Sequence, residues 1–167
     1  MTNNAERQIS ESSWKRARAF SWVMLAGSVF YVVIGLLRLG RGSRLSDLHI
    51  SDLVKDIVFA ACVGAALLSF LLAAFLRRSL LAEDYVRERL KSMTQVAQHY
   101  LHANILVSSL CELPAVMGLV YFLLTGHLLR MVILAAAGVT FSIVLFPSRS
   151  KLEDLLRQGG RWGETES

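Results

Sequence analysis

Charged side chains are scarce in this chain of 167 residues: they make up 19% of it, whereas 54% of the residues are hydrophobic. Soluble globular domains carry about 25% charged residues, so the composition argues against a water-soluble fold. Cysteine is also rare, with only Cys62 and Cys111. Both stand inside apolar runs and lack the C-x-x-C spacing of zinc sites, which argues against a disulfide framework or a zinc centre.

Sequence signatures of catalysis are missing as well. The chain has no phosphate-binding glycine-rich loop, no H-E-x-x-H and no G-x-S-x-G motif. We therefore expect a non-enzymatic protein that needs no cofactor. His99 and His102 are weak candidates for a metal site, because most sites need three or four ligands. The alternative is that both histidines lie at a membrane surface and bind lipid headgroups.

Long apolar runs dominate what is present. Each run has about 19 to 21 residues, which at 1.5 Å per helical residue matches a hydrocarbon core of roughly 30 Å. The runs are apolar all round, whereas the helices of a soluble bundle keep a polar face. The sequence thus predicts an all-α, polytopic membrane four-helix bundle, located in a bacterial cytoplasmic (inner) membrane. Its predicted spans are residues 19–37, 57–76, 104–124 and 128–146.

Lysine and arginine are unevenly divided between the two sides of these spans. Thirteen lie in the head (1–18), the connector (77–103) or the tail (148–167), and five lie on the other side. Positive charge marks the cytoplasmic face, so we expect both termini in the cytoplasm and one transmembrane domain over residues 19–147. The net charge of +5 is explained by this asymmetry and by anionic lipid headgroups, and implies no nucleic-acid partner.

The connector carries an amphipathic pattern over residues 82–101. Neither glycine nor proline interrupts the chain from Arg78 through Leu113, which favours one long helix or a surface helix that bends into span three. Such a helix could lie on lipid headgroups or dock a partner. A solvated connector is the alternative. The apolar positions of the pattern are Ala82, Val86, Leu90, Met93, Ala97 and Tyr100 or Leu101.

Small residues in the spans are expected to mark the seams where helices pack, since close backbone approach drives helix association in lipid. They occur in spans one, two and four. The candidates are Gly27, Ser28 and Gly35; Ala60, Ala61, Gly64, Ala65, Ala73 and Ala74; and Ala135, Ala136, Ala137, Gly138 and Ser142.

Span three contains one carboxyl group, Glu112, close to its middle. An acidic side chain at that depth costs roughly 2.5–3.5 kcal/mol on insertion scales. Asn104, Ser108 and Glu112 recur every four residues, so they predict a polar stripe on one helix face. Pro114 removes the helical partner of the Leu110 carbonyl and predicts a kink. Low-dielectric surroundings favour the protonated carboxyl, which could then donate to that carbonyl.

Two hypotheses account for this stripe. In the first, Glu112 ties span three to a neighbouring helix, with Ser108 and a backbone oxygen as partners, in an accessory or assembly subunit. In the second, Glu112 titrates in an oligomeric protein that translocates protons or cations. Either protein could form a homo-oligomer or join a larger membrane complex in the lipid bilayer.

Residues 107–120, Val-Ser-Ser-Leu-Cys-Glu-Leu-Pro-Ala-Val-Met-Gly-Leu-Val, resemble the carboxylate helix of the proteolipid c subunits of rotary ATPases. The resemblance implies that Glu112 matches the ion-binding carboxylate of that family and Pro114 its neighbouring proline. The family's hairpin has a short loop and two helices. Here the connector has about 27 residues and two further spans are present, so the resemblance implies nothing for the rest of the chain.

Overall fold

The computed structural model describes residues 3–40, 51–82 and 93–160. Within these ranges the chain forms five α-helices and no strand. We number them α1 (Asn3–Gly40), α2 (Asp52–Leu80), α3 (Met93–Thr125), α4 (Leu128–Val144) and α5 (Arg149–Gly160). The described part of the head belongs to α1, which continues without a break into the first span.

Four helical segments are long and apolar enough to cross a membrane, which confirms the predicted number of spans. Large apolar side chains cover their outward faces: Phe30 is 60% exposed, Leu68 66% and Ile133 49%. Exposed apolar surface of this extent is stable against lipid chains, not against water. The chain is therefore a multi-pass integral membrane protein. The segments are Glu11–Gly40, Asp52–Leu80, Thr94–Thr125 and Leu128–Leu156, the last of which includes the start of α5.

The cross-helix contacts fix the direction of each helix. Along α1 and α3, contacts proceed in the same order, from Ser21 with Ser108 to Tyr31 with Glu112, so these two helices are parallel. On α2, Lys55 lies beside Tyr121 whereas Leu80 lies beside His99, so α2 is antiparallel to α3. The α4 helix is also antiparallel to α3, because its residue Arg130 bonds to Tyr121 whereas Gly138 lies against Cys111.

The third helix occupies the centre of the bundle. It packs against the other four described helices, whereas α1 and α2 scarcely touch each other. Burial supports this central position: 44% of the residues in the most apolar stretch of α3 are buried, against 17% in the corresponding stretches of α1 and α2. Any side chain that α3 directs toward a neighbour is therefore held inside the protein, and the polar residues of span three lie on this central helix.

Glycines allow α3 and α4 to approach closely. A Cβ atom at Gly118 would lie 3.0 Å from both Leu134 Cβ and the carbonyl oxygen of Met131, and one at Gly138 would lie 3.1 Å from the carbonyl oxygen of Cys111. In span four, Gly138 and the buried Ala135 and Ser142 thus mark a seam, as predicted, whereas Ala136 is exposed. For Gly64 the same prediction is wrong: among the described residues no atom lies within 4 Å of a Cβ there.

We call the end where α1 and α3 begin and α2 and α4 end the basic end of the bundle. A hydrophobic cluster continues the core past the spans there, and α5 folds back to complete it. Its buried members come from three helices, α1, α3 and α5, and from the turn after α2. They are Ala17, Leu81, Val96, Tyr100, Ala103, Leu152 and Leu155.

A single helix from Arg78 through Leu113 does not form. The α2 helix ends at Leu80, where the chain turns and Leu81 enters the hydrophobic cluster with only 2% of its surface exposed. The His99 ring binds the Leu80 carbonyl at 2.8 Å, which satisfies an otherwise orphaned group at the helix end. Residues 83–92 of the predicted amphipathic helix lie outside the described residues, Ala82 follows the turn after α2, and residues 93–101 form the first turns of α3.

The opposite end of the bundle is held by polar groups. Arg130 of α4 donates to Asp56 of α2 and, at 2.8 Å, to the Tyr121 hydroxyl of α3. Its guanidinium also lies 5.0 Å from the centre of the Phe59 ring. One arginine therefore links three helices where the spans meet water.

Candidate functional site between the first and third helices

Glu112 lies at the seam between α3 and α1 and is half-buried. The Tyr31 hydroxyl of α1 donates a hydrogen bond to Glu112 Oε1 at 3.0 Å. Among the described residues, Tyr31 is the one hydrogen-bond partner of this carboxyl group. A tyrosine hydroxyl and a carboxyl group that face lipid would each lose water without compensation, and here each is satisfied by the other. The contact joins two spans that are 81 positions apart in sequence.

Gly27 makes room for this contact. A Cβ atom at Gly27 would lie only 2.7 Å from Glu112 Oε1, inside van der Waals contact. The carboxyl oxygen therefore rests against the bare backbone of α1, one helical turn before Tyr31. Side chains of a helix tilt toward its N-terminus, which brings the Tyr31 ring back toward the carboxyl group. Gly27 and Tyr31 together form the receiving surface on α1.

A second polar contact lies on the same seam, nearer the basic end. The hydroxyls of Ser21 and Ser108 are 2.9 Å apart and buried. Ser21 also donates to the Ala17 carbonyl at 3.1 Å. Its single proton is then engaged, so Ser108 is the donor when both bonds form. Ser108 and Glu112 thus both face α1, as expected for residues four apart on a helix.

Asn104 shares that side of α3, but its hydrogen bond in the described part of the chain is within α3. Its side chain is 2% exposed, and its amide nitrogen donates to the Tyr100 carbonyl of the same helix at 2.7 Å. The residues of the predicted polar stripe therefore have two different structural roles. Asn104 is satisfied locally, while Ser108 and Glu112 connect two helices.

The predicted hydrogen bond from Glu112 to the Leu110 carbonyl does not form. Residues two apart on a helix diverge by about 200°, so a carboxyl group at 112 points away from the carbonyl at 110. Pro114 diverges from Glu112 by the same angle, is fully buried and lies inside an unbroken α3. Glu112 instead accepts from Tyr31, so Ser108 and a backbone oxygen are not its partners.

The two histidines proposed as metal ligands, His99 and His102, have different surroundings. His99 Nε2 lies 2.8 Å from the Leu80 carbonyl oxygen, which can only accept, so this nitrogen carries the proton. The His102 side chain is exposed. Within residues 3–40, 51–82 and 93–160, no three side chains of histidine, cysteine, aspartate or glutamate form a group that could hold a metal ion.

Tyr31 and Ser21 were not among the residues singled out by the sequence. A signal for them exists: small and polar residues of α1 recur at alternating spacings of four and three, which places them on one helix face. All are buried or half-buried. The stripe comprises Ala17, Ser21, Met24, Ser28, Tyr31 and Gly35.

Comparisons with protein-family models, curated proteins and solved structures find no match to this chain. The likeness to the c subunits of rotary ATPases therefore remains a local resemblance of residues 107–120. One observation bears on it: Glu112 contacts α1, a helix that has no counterpart in a two-helix hairpin.

Proposed function

We propose that this protein is a non-enzymatic subunit that supports the assembly of a larger membrane complex or of its own homo-oligomer. Both termini then lie in the cytoplasm, since the basic end of the bundle carries the excess of positive charge. The hydrogen bond between Tyr31 and Glu112 is the observation that carries the proposal. A carboxyl group engaged across a helix seam has the geometry of an interhelical tie, the role that buried polar groups commonly have in membranes.

The surroundings of the seam support a tie more than a transport path. From the basic end to Glu112 the seam contains the Ser21 and Ser108 hydroxyls. Beyond Tyr31, α1 packs against α4, where the next small residue of α1, Gly35, lies against the apolar side chains of Met131 and Leu128. A proton or cation path needs polar groups on both sides of the carboxyl group, and the described residues provide them on one side.

Proton or cation translocation is the second candidate function. The observation that favours it is the half-burial of Glu112, whose carboxyl group has one hydrogen-bond partner, Tyr31, within residues 3–40, 51–82 and 93–160. In an oligomer, a neighbouring copy could complete a path at this carboxyl group. Glu112 would then be the titrating carboxyl group.

Flux and assembly measurements separate the two functions. We expect purified protein in sealed vesicles to pass protons and sodium ions no faster than empty vesicles do. Glu112→Gln, which keeps a donor and an acceptor, should preserve folding and the size of the complex extracted by mild detergent. Glu112→Leu should lower the free energy of unfolding by about 1 kcal/mol and reduce the yield of that complex.

Ser109→Ala is the matched control for these variants. Ser109 lies on α3, is exposed and donates only to the Ile105 carbonyl of its own helix, so its loss should leave assembly unchanged. Ion flux through the wild-type protein that disappears in Glu112→Gln would establish translocation and overturn the proposed function. Full stability and assembly of Glu112→Leu would remove the tie.

A further inference from the structure

A tryptophan at the basic end is contacted by two arginines from different helices. The guanidinium carbon of Arg18, on α1, lies 5.2 Å from the centre of the Trp14 ring, and that of Arg149, on α5, lies 5.8 Å from it. These distances are within the range of cation–π contact. The helices are held together here by the buried residues Ala17, Leu152 and Leu155. The fold therefore brings two positively charged side chains to the same tryptophan.

The depth of this cluster corresponds to lipid headgroups. Arg18 directly precedes the apolar run of span one, and Arg149 follows Phe146, the last residue of the predicted span four, by three positions. Trp14 lies five residues before Ala19 on a continuous helix, or about 7.5 Å at 1.5 Å per residue. The polar layer beyond the hydrocarbon core is roughly 5–7 Å thick on each side. Arg18 and Arg149 thus begin within this layer, and Trp14 begins at its outer edge, the level of lipid phosphates.

The cluster has unused hydrogen-bond donors. Among the described residues, the Arg18 guanidinium makes no hydrogen bond or ion pair and contacts the Trp14 ring. Trp14 Nε1 has no partner among these residues either, but it is buried, so the arginines supply the donors and the Trp14 ring supports them. Arg149 donates through Nε to Glu153 Oε1 at 2.7 Å, which leaves its terminal nitrogens available. A planar guanidinium stacked on an aromatic ring keeps its N–H edge directed outward, and that edge matches a phosphate with two hydrogen bonds.

We propose that Trp14, Arg18 and Arg149 form a binding site for the phosphate of an anionic phospholipid in the leaflet at the basic end. The two positive charges select an anionic headgroup over a zwitterionic one, whose own cation they would repel. Because the arginines come from α1 and α5, a bound lipid would also hold α5 against the membrane. The site is remote from Glu112 and independent of the function proposed for it.

Lipid-dependent thermal stability tests this site in the full-length protein. A ligand that binds only the folded state raises the melting temperature. We expect phosphatidylglycerol added to detergent-solubilised protein to raise Tm more than phosphatidylcholine with the same acyl chains. In the double variant Arg18→Gln/Arg149→Gln, the apparent affinity for phosphatidylglycerol should fall about tenfold, since each basic residue near an anionic headgroup contributes appreciably.

Lys15→Gln/Lys151→Gln is the matched control, because it removes the same charge from the same two helices. Lys15 pairs with Glu11 at 3.2 Å and is exposed, and the cation–π contacts of Trp14 in the described part of the chain are with the two arginines. The control should keep the wild-type response. Equal losses in both double variants would show diffuse attraction and overturn the site, as would an unchanged response of the arginine variant. Inorganic phosphate should leave Tm unchanged; an increase equal to that from lipid would indicate a site for soluble anions. Circular dichroism before heating verifies that each variant is folded.

Discussion

Replacing Tyr100 with alanine is expected to lower the free energy of unfolding by about 3–5 kcal/mol, the range for removing a large buried aromatic side chain. Tyr100 is 1% exposed and packs in the hydrophobic cluster at the basic end. Its hydroxyl also donates to the Ser148 carbonyl at 2.9 Å, in the link between α4 and α5. Alanine would leave a cavity and remove that bond. Unfolding in mixed micelles of increasing denaturing detergent measures the change.

Tyr100→Phe separates packing from hydrogen bonding. It keeps the ring and removes only the hydroxyl, so we expect a loss of about 1 kcal/mol. His102→Ala, at an exposed site on the same helix, should change little. Hydrogen exchange gives a second measurement: the amides of α5 should exchange faster in Tyr100→Ala than in Tyr100→Phe. Equal stability of the two tyrosine variants would contradict a packed core at this end.

Gly118→Leu should be the most damaging change within the spans, with an expected loss of about 1–3 kcal/mol from overpacking. A side chain at Gly118 would begin 3.0 Å from the Met131 carbonyl oxygen, which is backbone and cannot rotate away. The α3 and α4 helices would have to separate along a seam that also contains Gly138. The same unfolding assay detects the loss.

Gly64→Leu is the control, because it makes the same change in a helix interior where no described atom lies within 4 Å of a Cβ. Leucine favours a helix over glycine by roughly 0.8 kcal/mol, and the position faces outward, so this variant should be as stable as the wild type or more so. A loss in Gly64→Leu as large as that in Gly118→Leu would mean that the outward face of α2 is packed, and would contradict the open surroundings of Gly64.

The spans and the site's central residue could be predicted from the sequence because their causes are local. Hydropathy over about 20 residues identifies a membrane helix whatever its neighbours are. A carboxyl group in such a helix is costly wherever it faces, which singled out Glu112. Spacing of four residues likewise placed Ser108 on the same face, and the structure directs both toward α1.

Pairing between helices could not be predicted, because it depends on residues far apart in sequence. Gly64 and Gly118 are chemically equal, yet only Gly118 faces another backbone. Tyr31 lies 81 positions from its partner, and a single tyrosine in an apolar run gives no indication of where its hydroxyl points. The end of α2 at Leu80 could not be predicted for the same reason. Leu81 is buried in the hydrophobic cluster, and this packing outweighs a local sequence free of helix breakers.

The central claim is that Glu112 and Tyr31 join α1 to α3 inside the membrane. A double-mutant cycle of Tyr31→Phe and Glu112→Leu measures their coupling most directly, with Glu112→Leu paired with Ser109→Ala as the reference cycle. We predict a coupling free energy of about 0.6 kcal/mol, and at most about 1.7 kcal/mol, for the first cycle, which are the average and the maximum for hydrogen bonds between membrane helices, and none for the second. Additive effects of Tyr31→Phe and Glu112→Leu would contradict the central claim.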